Sequence, residues 1–421
     1  MFVAINDDEE ARSEAFMKLY ADKAVVAQSE FTVNVVGSPG GEDGKKKSRF
    51  AGMSVAEHRA MYEELCRDVV RVNDQGVTAT PQHAWVHPDG TVLFTVPYEM
   101  TKEELLWCFA AARRAVAEDP TRIDFPKGAR PPRRLSFSGD GWSIDGDDRG
   151  RGLTPDELEQ ELAALKRGGV AALDRARWGR VLFTDEKAAH EYAKSNLGSG
   201  WLDWMGGDFL RYLIHAIGAV SPRSFHPVLA DFLKHKEAGV RHEVAVAYEQ
   251  LAAPDALKTV RSGYKGAKEP QLRGAWLRAL AATGHGDKRT RKAVLDAATD
   301  EDDVVRRSAI VALGHLDWHA DVRAFLVAKL GASQGPDGLA AAVAMALTRD
   351  PYFLETLERA AKDREGTEVH DGLQRALTVL RGADAAALSE LAVECTGDDL
   401  ERERVFFGGT LGFGARADDG D

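Results

Sequence analysis

Residues 302–314 read Asp302-Asp303-Val304-Val305-Arg306-Arg307-Ser308-Ala309-Ile310-Val311-Ala312-Leu313-Gly314. Val305, Ala309, Ala312 and Leu313 fall on one helical face, and Asp302 and Asp303 stand where carboxylates favour the positive end of a helix. The closing Ala-Leu pair has counterparts at Ala216-Ile217, Ala247-Tyr248, Ala279-Leu280, Ala346-Leu347 and Ala376-Leu377, and successive pairs are 31, 32, 33, 34 and 30 residues apart. This spacing predicts six two-helix units filling 201–393. A unit with apolar stripes on both sides cannot bury them alone, so the units stack into one continuous core. The small residues Ala279, Ala312, Ala346 and Ala376 let inner helices approach closely, and the residue after each fills the gap between layers.

The stretch Asp302 to Gly314 matches Asp-x-x-Val-Arg-x-x-Ala-x-x-Ala-Leu-Gly in full and resembles HEAT and HEAT-like (bilin-lyase-type) repeats. Other copies keep Val240-Arg241 or Leu272-Arg273 without the Asp. The resemblance implies an α-solenoid that binds partners. Thr154, Pro155 and Glu157 signal a helix start, and helices over 153–200 are expected to cap the solenoid.

The first 120 residues have another rhythm. The pattern predicts a strand over 2–6, a helix from Asp7 to about Ala27 and a strand from Phe31 to Val36. After a glycine-rich stretch, Ser54 and Glu57 form a capping box for a helix to about Val70. Thr80-Pro81 enters a hairpin with strands near 82–86 and 91–96, joined by His87-Pro88-Asp89-Gly90. Thr101 and Glu104 cap a final helix to about Glu118. This order, with a Thr-Pro entering the third strand, resembles the thioredoxin fold. The resemblance implies a cis proline at Pro81 whose surroundings pair with an extended peptide, with Thr80, Trp85 and His83 supplying contacts. It also places a dithiol after the first strand, where this chain has Asp7-Asp8-Glu9-Glu10-Ala11-Arg12 and no cysteine. Thioredoxin chemistry is therefore not expected from these positions, because carboxylates cannot exchange disulfides.

Cys66, Cys108 and Cys395 are too far apart for a zinc pattern or a disulfide framework and read as small core residues. Their usage points to a reducing cytoplasm. The acidic opening after Met1-Phe2-Val3-Ala4-Ile5 does not read as a signal peptide, and no apolar run reaches the roughly 18–20 residues a bilayer crossing needs. The balance of 55 basic against 67 acidic residues disfavours nucleic acid as a partner. Lys45-Lys46-Lys47-Ser48-Arg49 and the cluster Arg130, Arg133 and Arg134 are the basic exceptions. His315 and His319, four apart around Asp317-Trp318, are weak metal candidates, and no cofactor is expected. P-loop, Rossmann, nucleophile-elbow and His-Glu-x-x-His signatures are missing. Residues 121–152 read as a linker in which Leu135, Phe137, Trp142 and Ile144 suggest a short strand. The glycine-rich tail within 394–421 carries Phe406, Phe407, Leu411 and Phe413, which are expected either to fold back or to anchor a partner.

The resulting expectation is a multidomain α/β plus all-α chain: a thioredoxin-like domain over 1–120, a linker over 121–152, a helical cap over 153–200 and HEAT-like repeats over 201–393. The combination looks bacterial in type. It implies a non-catalytic, cytoplasmic protein-interaction adaptor or assembly subunit with protein partners. The alternatives are a thiol/disulfide enzyme or chaperone, and a HEAT-like nucleic-acid-binding or bilin-processing protein.

Overall fold

The structure, a computed structural model, describes residues 1–6, 11–39, 48, 53–66, 69, 80–119, 122–132, 136–137, 153–167, 175–197, 207–316, 319–333, 335–381 and 386–402. The chain divides into two compact units, Met1–Arg151 and Gly152–Asp421. The first is α/β and the second is helical throughout its described residues.

In the first unit, β1 (Phe2–Ile5) pairs in parallel with β2 (Asn34–Gly37) and antiparallel with β3 (Gln82–Val86). The hairpin continues to β4 (Val92–Pro97), and the two-residue β5 (Ser136–Phe137) extends the sheet to the order β2-β1-β3-β4-β5. The expected linker thus contributes an edge strand. The period of two in β1 explains its position between two cores. Phe2 and Ala4 join Trp85, Phe94 and Phe109 on one face, while Val3 and Ile5 join Val35, Ala84 and Cys66 on the other.

Helices cover both faces. α1 (Ala11–Tyr20), α2 (Lys23–Ser29) and α4 (Lys102–Val116) supply Phe16, Val25, Leu105 and Phe109 to the first face. α3 (Val55–Met61) runs into a π-helical turn, Tyr62–Cys66, on the second. The predicted caps are present: Ser54 with Glu57, and Thr101 with Glu104, form reciprocal capping boxes.

Two boundaries and one surface assignment differ from expectation. The helix anticipated through Ala27 is divided, because Asp22 caps a new helix by accepting from the Ala24 amide at 2.9 Å and pairs with Lys102 at 2.8 Å. β2 begins at Asn34 rather than Phe31; Phe31 and Val33 are exposed, and the Arg113 guanidinium lies 3.8 Å from the Phe31 ring centre. Arg130 is no part of a basic surface, being buried near Glu104. Lys45, Lys46, Lys47, Arg49, Arg133 and Arg134 lie outside the described residues, as do Asp7, Asp8, Glu9 and Glu10.

The second unit opens with α5 (Pro155–Arg167), α6 (Arg175–Phe183) and α7 (Lys187–Leu197). Six helices carrying the six Ala-Leu-type pairs then pack in sequence order as one row: α8 (Gly207–Val220), α9 (Ala238–Leu251), α11 (Pro270–Thr283), α13 (Asp303–Ala312), α15 (Pro336–Leu347) and α17 (His370–Leu380). A 3₁₀ helix (Arg223–Phe232), α10 (Leu257–Gly266), α12 (Lys288–Ala297), α14 (Ala320–Ala332) and α16 (Leu354–Asp363) alternate with them as a second layer. α18 (Ala386–Thr396) does not continue this alternation. It packs against α13, α15 and α17 together.

Neighbours in the row approach where side chains are minimal. A Cβ added at Gly218 would fall 2.7 Å from the Ala247 Cα, one at Gly274 would fall 2.8 Å from the Ser308 Cβ, and one at Gly314 would fall 2.6 Å from the Ala344 carbonyl oxygen. The arginine of the Val-Arg motif has a constant role. Arg241 donates to Glu269 at 2.9 Å, Arg273 to Asp300 at 3.3 Å and Arg306 to Asp337 at 3.0 Å, each carboxylate lying at or near the start of the next inner helix. Arg241 and Arg306 also donate to carbonyls of the loop that precedes their own helix. Among the described residues no helix is long and apolar enough to cross a membrane.

Two glycine substitutions should separate close approach from helix propensity. Gly314→Ala should lose about 1–3 kcal/mol, because the Ala344 backbone cannot yield as a side chain can. Gly331→Ala, where nothing lies within 4 Å, should gain about 0.5–1 kcal/mol. Urea denaturation of the full chain would measure both, and equal effects would refute the close-approach account.

Candidate interaction site on the inner helix row

The Pro81 region is not a surface cleft. The Thr80-Pro81 bond is cis, but Thr80 is 3% exposed and Pro81 is buried. Trp85 is 0% exposed among Phe2, Phe94 and Phe109, a core residue rather than the partner contact expected of it. His83 is buried as well. Its Nε2 lies 2.6 Å from the Tyr20 hydroxyl, which also accepts from Asn6 at 3.3 Å. Burial pushes the imidazole down to about 3, partly opposed by a backbone hydrogen bond with Val96.

His315 and His319 do not converge on a shared site. His315 faces Glu249, with Nε2 3.3 Å from its carboxylate. His319 stands at the N-terminus of α14 and accepts from Arg291 on α12. His315 thus contacts an inner helix and His319 a helix of the second layer, so the two rings have different partners. Phe406, Phe407, Leu411 and Phe413 lie outside the described residues.

A different set of residues converges where the end of the chain meets the inner row. α18 ends at Thr396, and Gly397, at φ 67°, supplies the left-handed residue that closes a helix. Asp398 then caps a helical turn at 399–402 by accepting from the amides of Leu400 at 3.0 Å and Glu401 at 3.1 Å. This brings four carboxylates to the row. Arg375 of α17 pairs with Glu390 at 3.1 Å and Glu394 at 2.7 Å. His242 of α9 lies 3.1 Å from Asp398, and Arg278 of α11 donates to Glu401 at 3.0 Å. Arg278 also donates to Glu249 at 3.0 Å, which extends the network to His315.

The two ends differ in solvent access. The Arg375 side chain is 34% exposed, whereas that of Arg278 is 5% exposed and those of His242 and Asp398 are fully buried. Burial would lower the Arg278 guanidinium, but Glu249, Glu401 and Asp398 more than offset this and hold it protonated above its usual range. Burial would raise the Glu249 carboxyl; Arg278 and the hydrogen bond to His315 bring it below its usual value. Between these anchors Leu391 and Cys395 are 0% exposed and join the core of the row.

His242, Asp398 and Glu401 form a group that could hold a metal ion, with their ligand atoms within 4.8 Å of one another. The surroundings fit an ion-pair network better. Glu401 already accepts from Arg278, a cation that would repel a second one, and among the described residues the buried His242 Nδ1 has no acceptor of the kind that orients a ligating imidazole.

The contacts of Asp398 and Glu401 are not legible in the sequence, since Asp398 and His242 are 156 residues apart, and Glu401 and Arg278 are 123 apart. The one local signal is the Gly397-Asp398 pair, a helix stop followed by a cap.

Two measurements follow. Arg278→Met should cost about 3–5 kcal/mol by stranding Glu249 and Glu401, whereas Arg375→Met, at the wetter end, should cost about 1 kcal/mol or less in chemical denaturation. His83 binds its proton more weakly folded than at its ordinary 6.5, so the unfolded chain takes up that proton first on acidification. It therefore withdraws stability from the first unit as pH falls from about 6.5 towards 3, by up to about 1.4 kcal/mol per pH unit. His83→Gln should flatten that part of the stability profile. No protein-family model and no curated protein matches this chain, so the reading of the site rests on its geometry.

Proposed function

We propose that this chain is a non-catalytic protein-interaction adaptor or assembly subunit, in which a HEAT-like solenoid is joined to a thioredoxin-like unit lacking the dithiol. The observation that carries this reading is the seat on the inner helix row, where basic side chains of α9, α11 and α17 hold an acidic helical segment. Such a surface recognises a protein segment by charge and apolar contact, which is what helical repeat arrays supply. The chain's 55 basic against 67 acidic residues, a net charge of −12, disfavour nucleic acid as the partner.

A thiol/disulfide enzyme is the poorer reading. Cys66, Cys108 and Cys395 are all buried. Burial pushes the thiol of Cys66 up to about 11 and that of Cys395 up to about 12, and raises Cys108 well above the ordinary range. A thiolate nucleophile needs the opposite shift. The thiols should therefore label with iodoacetamide only slowly in the native chain, and all three should label promptly in denaturant. Fast native labelling of even one would favour the thiol reading.

The adaptor reading is tested by purifying the chain from its source under mild conditions and mapping crosslinks to residue number. The expected result is a stoichiometric protein crosslinked to the helices between 238 and 380. A lone monomer would overturn it.

A further inference from the structure

We propose that the inner-row seat is a docking groove for an acidic amphipathic helix of a partner protein, and that residues 386–402 are a built-in competitor that keeps it closed. The proposal rests on the adaptor reading and names its partner class and its regulation.

The competitor defines the ligand. Glu390-Leu391 and Glu394-Cys395 repeat an acid followed by an apolar residue at an interval of four, so each turn of α18 presents a carboxylate to Arg375 and a buried side chain to the row. Asp398 and Glu401 then place two more carboxylates on His242 and Arg278. An occupant must reproduce those charges. A neutral helix would leave the Arg278 guanidinium with Glu249 alone in a site with almost no solvent, a cost that an acidic helix avoids.

The competitor is also placed to be displaced. Its outer half is held by solvent-exposed ion pairs, with the Glu390 and Glu394 side chains 64% and 52% exposed, and such pairs are individually weak. A cleft of about 420 Å³ bordered by Pro336, Leu339, Glu368, Val369 and Glu394 flanks that half, so its solvent-facing side is open. The strongest contacts, at Arg278 and His242, lie at the far end. Exchange would therefore start at Glu390 and Glu394 and finish at Glu401. A partner that pairs with Arg375, His242 and Arg278 lowers the free energy of the open state by its own affinity.

The test uses the full chain and a fluorescein-labelled peptide with the sequence of residues 386–402, followed by fluorescence anisotropy. The variant Glu390→Lys/Glu394→Lys reverses charge at the exposed end and leaves the buried network intact. It should bind the peptide at least about tenfold more tightly than the unaltered chain, and adding Arg375→Glu should remove the gain. A peptide with Glu390, Glu394, Asp398 and Glu401 replaced by glutamine should not bind. Equal or absent binding to both chains, with the variant still melting cooperatively, would overturn the proposal. So would dimerisation of the variant by exchange of the segment, since the occupant would then be a second copy. Hydrogen exchange on the unaltered chain is an independent check: amides of 386–402 should open at lower free energy than those of α11, and exchange only by global unfolding would count against a displaceable segment. Peptide binding by the variant together with a chain that purifies alone would leave the groove standing and remove the adaptor role.

Discussion

The second unit depends on how closely its inner helices approach. At Gly218 against Ala247, Gly274 against Ser308 and Gly314 against Ala344 there is no room for a further methyl group. Backbones brought this near leave little freedom in helix spacing. The arginines of the Val-Arg motif then tie each inner helix to a carboxylate at the start of the next. The glycines set the distance between neighbours, and the arginines hold the connecting loops in place.

A row built this way spends its apolar stripes on its neighbours and on the second layer. Charged side chains can remain on the face left over, and Arg278, His242 and Arg375 do so. The end of the chain answers them with Glu390, Glu394, Asp398 and Glu401. Buried ion pairs contribute little net stability compared with apolar packing, but they penalise a wrong occupant heavily. That asymmetry suits a seat that selects what may sit in it, and it underlies the proposed competition between the chain's own segment and a partner.

The first unit shows the opposite economy. Its short central strand buries both faces, so Trp85, Phe2 and Phe109 belong to a packed interior and Thr80-Pro81 lies within it. His83 and Tyr20 share a hydrogen bond inside that interior. The proposed likeness to thioredoxins rests on element order and on Thr80-Pro81, and the buried thiols offer no reactive centre beside them.

Periodic apolar residues and caps act within a few positions of themselves, so the sequence alone determined the helical pairs of the second half, the capping boxes at Ser54 and Thr101, the hairpin at 82–97 and the division into α/β and helical parts. The same locality explains the errors. Nothing near Trp85 announced that helices would cover it, and nothing near His315 revealed that its neighbour His319 would turn to the other layer. The meeting of His242 with Asp398 and of Arg278 with Glu401 depends on the last segment folding back over helices more than a hundred residues earlier. Tertiary structure alone decided that contact, because a buried charge finds its partner through the path of the whole chain.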